Sequence, residues 1–86
     1  MTDAVQLIAT LTKNRTEDVR VALTEFNGLD LIDVRIFVDR GDAEERQPTR
    51  KGVSLQVCQL PALLDALEAA REAAERRGLL PERGSQ

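Results

Sequence analysis

Apolar and polar residues alternate through the first two thirds of the chain, and the apolar spacing then changes to three and four. Val5, Leu7, Ala9 and Leu11 follow the period of two that marks a strand. Val5, Ile8 and Leu11 also lie three apart, so a helix over residues 4–12 competes with that strand. Lys13-Asn14-Arg15-Thr16 reads as a polar turn. From Glu17 to Phe26 the alternation is clean, with Val19, Val21 and Leu23 on one face and Arg20, Ala22, Thr24 and Phe26 on the other. Asn27-Gly28 is the strongest short hairpin signal. Leu29–Val38 forms the next strand, rich in the β-branched residues that strands favour. Ile32, Val34, Ile36 and Val38 take one face; Leu31, Asp33, Arg35 and Phe37 take the other. A second turn at Asp39-Arg40-Gly41-Asp42 opens a polar arm that runs to Gln47, and Pro48-Thr49 leads into a fourth strand. There Val53, Leu55 and Val57 alternate with Ser54 and Gln56.

The remainder reads as one helix. Leu60, Leu63, Leu64 and Leu67 form an apolar stripe that Ala70, Ala73 and Ala74 continue. Pro61 fits only the first turn, so the helix starts between Val57 and Leu60. Gly78 suits the position just past its end, with Arg76 and Arg77 in the last turn. The expected fold is α+β: a curved four-stranded antiparallel meander sheet followed by one C-terminal helix, whose stripe covers one sheet face. Residues 1–80 form a single domain, and residues 81–86 read as a flexible tail.

Composition narrows the choices. A chain of 86 residues buries a thin core, and this one has two Phe and no Trp or Tyr. A homodimer would supply the missing core area, with Leu60, Leu63, Leu64 and Leu67 as its interface. One cysteine permits no internal disulfide, which fits a reducing cytoplasm. Met1-Thr2-Asp3-Ala4 lacks the basic start of a signal peptide. No apolar run approaches the ~20 residues that cross a membrane. The formal net charge of −3 runs against the basic surplus usual for nucleic-acid binders. Any anionic partner must therefore meet a local cluster.

The helix-free face offers one. It carries both phenylalanines, Phe26 and Phe37, with Arg20, Arg35, Arg50, Gly52 and Ser54. Aromatic rings interleaved with cations suit a single strand, whose bases stack while its phosphates meet the cations. The same pattern is compatible with phenylalanines buried in a dimer core, or with a β-bulge that shifts their parity. Arg50-Lys51-Gly52 puts two adjacent cations before a glycine that permits close backbone approach. Charge and Pro48 also serve simply to protect an edge strand.

At these residues the chain resembles the transcriptional positive cofactor four family, in a bacterial-type form. The likeness lies in Phe26-Asn27-Gly28, in Leu31-Ile32-Asp33-Val34-Arg35, and in Pro48-Thr49-Arg50-Lys51-Gly52-Val53-Ser54-Leu55. It covers roughly residues 17–70. The resemblance implies a curved four-stranded sheet and a helix, a homodimer joined through that helix, and binding of single-stranded DNA without strong sequence preference. It also implies that Phe26, Arg35, Arg50, Lys51 and Gly52 occupy nucleic-acid-binding positions. Asn27, Leu29 and Gln47 stand where lysines are common in the family, and Val38 stands where the eukaryotic coactivator has a stacking tryptophan. Binding weaker than the coactivator's is expected. The eukaryotic regulatory tail has no counterpart in this sequence, so coactivation of the eukaryotic kind does not carry over.

Other chemistry is poorly supported. Without histidine there is no imidazole catalysis or His-metal site. Cys58 has no activating neighbour and reads as a partly buried small apolar residue. Asp39, Asp42, Glu44 and Glu45 lack calcium-loop spacing and read as a solvated hairpin. No phosphate-binding loop or dinucleotide fingerprint occurs. The sequence therefore points away from an enzyme and requires no cofactor. It points to a DNA binder in transcription, replication or repair, in the cytoplasm or on a nucleoid. A protein-interaction module and a single-stranded RNA binder remain as alternatives.

Overall fold

The computed structural model describes residues 5–41 and 44–81. Four strands lie in one antiparallel sheet in chain order: β1 (Gln6–Thr12), β2 (Glu17–Phe26), β3 (Leu29–Val38) and β4 (Gln47–Gln56). A 3-10 turn at Val57–Gln59 leads into the helix α1 (Leu60–Arg76). The N-terminal segment is thus a strand, and the α+β meander is as expected. Residues 1–4 and 82–86, with the expected signal-free start and most of the expected tail, lie outside the described residues.

Local chemistry accounts for the turns. Asn14 Oδ1 accepts hydrogen bonds from the backbone N–H of Thr16 (3.0 Å) and Glu17 (2.9 Å), closing the β1–β2 turn. Asn27 and Gly28 have φ of 54° and 79°, the paired positive values of a tight hairpin that continues the strand twist. Between β2 and β3 the register is unbroken from Glu17↔Val38 to Phe26↔Leu29. No bulge displaces either phenylalanine, so Phe26 and Phe37 stay on the face of Arg20 and Arg35.

Both outer strands are irregular. In β1 the register shifts between Leu7, opposite Ala22, and Ala9, opposite Val21. Leu7 therefore shares no face with Ala9 and Leu11, contrary to simple alternation. In β4, Gly52 pairs with Arg35 and Pro48 pairs with Phe37, so Thr49, Arg50 and Lys51 stand against Ile36 alone. Thr49 Oγ1 donates to the Ile36 carbonyl at 2.8 Å and accepts from the Lys51 N–H at 3.1 Å, which stitches the bulge. β4 consequently begins at Gln47, three residues before the Arg50 start that the valine pattern suggests.

The helix ends follow the sequence. Pro61 occupies the first turn. At the other end Gly78 takes φ of 74°. There the Leu79 N–H donates to the Ala74 carbonyl (2.8 Å) and the Gly78 N–H to that of Glu75 (3.0 Å), a paired cap that satisfies two orphan carbonyls.

The placement of α1 corrects an expectation. The helix does not cover a sheet face; its principal neighbour is its own 3-10 turn. That turn alone joins it to the edge strand β4. Leu64 and Leu67 are 54% and 57% exposed, and Ile32 is the sole buried hydrophobic residue among those described. The radius of gyration is 15.5 Å, against about 12 Å for a compact chain of this length. Cys58 is exposed, not partly buried, because it sits in the 3-10 turn beyond the sheet. No described helix is long and apolar enough to cross a membrane.

Candidate nucleic-acid interface

One face of the sheet gathers most of the residues singled out in the sequence. Arg20 lies opposite Arg35 across β2 and β3, and Gly52 lies opposite Arg35 across β3 and β4. Phe37 is cross-strand from Asp18 and Pro48. The Arg20 guanidinium sits over the Phe37 ring, 4.4 Å from its centroid, in a cation–π contact. Phe26 stands apart at the hairpin tip. It is six residues along β2 from Arg20, about 20 Å at strand spacing. It is 65% exposed.

Arg35 is fully engaged within the protein. Its Nε and Nη2 donate to the two oxygens of Asp33 at 3.0 and 2.8 Å, and its Nη1 donates to the Thr49 carbonyl at 3.0 Å. Ser54 Oγ donates to Asp33 Oδ1 at 2.6 Å. Hydrogen bonding from Arg35 holds the Asp33 carboxyl below its ordinary range, with Ser54 assisting against partial burial. The same pairing pushes the Arg35 guanidinium up. Arg35 thus ties β3 to the β4 bulge, with its charge largely cancelled.

Gly52 also has a role inside the sheet. A Cβ at this position would lie 2.5 Å from the Val34 carbonyl oxygen and 2.9 Å from Arg35 Cα. The close approach expected at this glycine is made by its own neighbouring strand.

Arg50 and Lys51, carried on the bulge, are exposed, and neither side chain takes part in an ion pair among the described residues. Lys51 borders a shallow apolar hollow with Val19, Val34, Ile36 and Val53. That hollow belongs to the aliphatic face, so Lys51 does not simply join the row of Arg20 and Arg35. No cluster of potential metal ligands occurs among the described residues.

Sequence reasoning missed Asp18, Arg46 and the Asp33–Ser54 pair. Asp33 was readable, since it lies two residues before Arg35 on the same strand face. Arg46 was not, because it lies in the connection before β4, outside any periodic element. It reaches Asp18 Oδ1 at 2.9 Å.

The sequence profile of the transcriptional coactivator p15 (PC4) family matches residues 13–66. Among solved structures the chain is similar to a PC4 homolog from Burkholderia pseudomallei K96243, known in two crystal forms. Against the tetragonal form the identity is 28% and the TM-score 0.71, covering 79% of this chain and 98% of that one. Against the orthorhombic form the identity is again 28% and the TM-score 0.72, with 83% and 95% covered. No curated protein sequence matches significantly.

Proposed function

The chain belongs to the transcriptional coactivator p15 (PC4) family, and from that membership we propose that it binds single-stranded DNA as a homodimer, with little sequence preference. The observation that carries the reading is the exposed Phe26 ring on a sheet whose exposed Arg50 and Lys51 make no ion pair among the described residues. A base stacks on Phe26, and the free cations meet phosphates. Stacking of this kind contributes about 1–3 kcal/mol per base and tolerates any base. Arg35, Gly52 and Phe37 support the surface, Arg35 chiefly by holding the bulge in place.

The dimer follows from the uncovered apolar surface. Ile32 is the one buried hydrophobic among the described residues while Leu64 and Leu67 are exposed, so a second copy would supply core that the single chain lacks. We assign Leu60, Leu63, Leu64 and Leu67 to that interface. The protein carries out no catalytic step and needs no cofactor in this reading. It acts in the cytoplasm, on nucleoid DNA if the host is bacterial, in transcription, replication or repair.

The test is anisotropy of labelled oligo-dT against duplex DNA over a salt series. Preference for the single strand, with log K falling by about 0.7 per neutralised phosphate as log salt rises, supports the reading. Equal affinity for duplex, or a flat salt response, overturns it. Competition by single-stranded RNA decides whether the 2′-hydroxyl is tolerated. One observation favours a protein-interaction module instead: Asp33 and Asp18 take up the charge of Arg35 and Arg20. Nuclease-resistant capture of one defined protein, without oligo-dT binding, would select it.

A further inference from the structure

Asp18 is the only charged residue among those described that is buried, and it holds two guanidiniums. Arg20 Nη2 lies 3.4 Å from its Oδ2, and Arg46 Nη1 donates to its Oδ1 at 2.9 Å. Arg46 enters from the segment between β3 and β4. Its Nη2 donates to the Arg15 carbonyl in the β1–β2 turn at 2.9 Å. The two arginine side chains each remain 27% exposed.

One carboxylate therefore faces two cations. Each guanidinium carries five N–H donors, and most of these have no acceptor among the described residues. Arg20 Nε is buried without any acceptor, so its present contacts leave the side chain undersatisfied. Elsewhere on this face Asp33 cancels Arg35. With Asp18 shared between them, Arg20 and Arg46 leave one net positive charge at this end of the face. Phe37 underlies the Arg20 guanidinium, and Asp18 anchors both arginines from beneath.

We propose that Arg20 and Arg46 together bind one backbone phosphate of a single strand, with Asp18 as the pedestal that sets their spacing. A phosphate accepts from two guanidiniums at once, which a lone carboxylate beneath them does not exhaust. The site lies about 20 Å along β2 from Phe26, so its phosphate belongs to a nucleotide well removed from the stacked one. The strand then runs the length of the face, from the β2–β3 hairpin to the β3–β4 connection. This inference rests on the single-strand reading and adds to it a residue, Arg46, that lies outside the strands.

The experiment uses the full chain and labelled oligo-dT. Wild type, Arg46→Gln and Arg46→Lys are titrated over a salt series, and the Arg Nε–Hε signals of wild type are followed by NMR as oligo-dT is added. The expected result is a several-fold loss of affinity for Arg46→Gln and a salt slope smaller by about 0.7, with the slope retained in Arg46→Lys. The Arg20 and Arg46 Nε–Hε signals shift in wild type, a readout that does not depend on how the variant folds. If wild type binds oligo-dT while Arg46→Gln keeps its slope and neither signal moves, the phosphate site is wrong and the single-strand reading stands. If wild type does not bind oligo-dT, that reading fails and takes this site with it.

Discussion

Arg35 and Asp33, two residues apart on β3, share a bidentate pair: Nε to Oδ2 at 3.0 Å and Nη2 to Oδ1 at 2.8 Å. The third arm of the guanidinium reaches the Thr49 carbonyl, so the pair fixes the bulge as well as its own charges. Asp33 is held below its ordinary value of 3.8, chiefly by Arg35. A carboxyl depressed in the folded state adds stability above its unfolded value, and that stability is lost as pH falls through the folded value. Thermal melts from about pH 6 down to about pH 2 should show an acid loss that Asp33→Asn makes shallower. The effect is modest, because the pair is only partly buried and solvent still screens it. Asp33→Asn also frees Arg35, so oligo-dT affinity at neutral pH should rise. A fall in affinity would mean that Arg35 works only through its tie to Asp33.

Gly52→Ala should destabilise the sheet by about 1–3 kcal/mol, the usual range for overpacking. The obstruction is backbone, since the added Cβ meets the Val34 carbonyl oxygen at 2.5 Å and cannot be relieved by rotating a side chain. Urea unfolding measures the change. An unaltered midpoint would show that β4 does not approach β3 this closely.

The alternation of β2 and β3 was legible because neither strand is interrupted where they pair, and Asn27-Gly28 states the turn chemistry that joins them. Both helix ends were legible through Pro61 and Gly78, whose backbone restrictions are local. The outer strands were harder to read. A bulge is defined by what lies opposite it, and periodicity within one strand contains no partner. Gly52 within the fourth strand was the one local sign. The stand-off of α1 could not be read either, since an apolar stripe states that a surface will be covered and not by what. Arg20, Arg35 and Phe37 were placed on one face by parity, but parity is blind to charge cancellation. The Asp33 pair changed the meaning of Arg35, and Arg46 entered the face from a segment without period.

Leu64→Glu or Leu67→Glu should abolish the dimer or prevent folding. Both side chains are more than half exposed in the single chain, so a charge there meets nothing unfavourable until a partner arrives. Light scattering on a sizing column should give a dimer mass for wild type and a monomer or unfolded species for the variants. The released monomer should melt at a lower temperature, because Ile32 is the one buried hydrophobic among the described residues. A dimer that survives either charge places the interface elsewhere.

Phe26→Ala and Lys51→Ala should weaken oligo-dT binding in physically different ways. Phe26 projects from the hairpin tip at 65% exposure, so its removal costs the fold little while deleting a stacking platform. Affinity should drop by about 1–3 kcal/mol, with the salt slope unchanged, since no phosphate contact is lost. Lys51 is exposed and makes no direct ion pair among the described residues, so its ammonium is open to a phosphate. Its removal should lower affinity most at low salt and reduce the slope by about 0.7. The two losses should add, because the hairpin tip and the bulge share no side-chain contact. A Phe26→Ala variant that alters the slope, or a Lys51→Ala variant that does not, would overturn this division of base and phosphate roles.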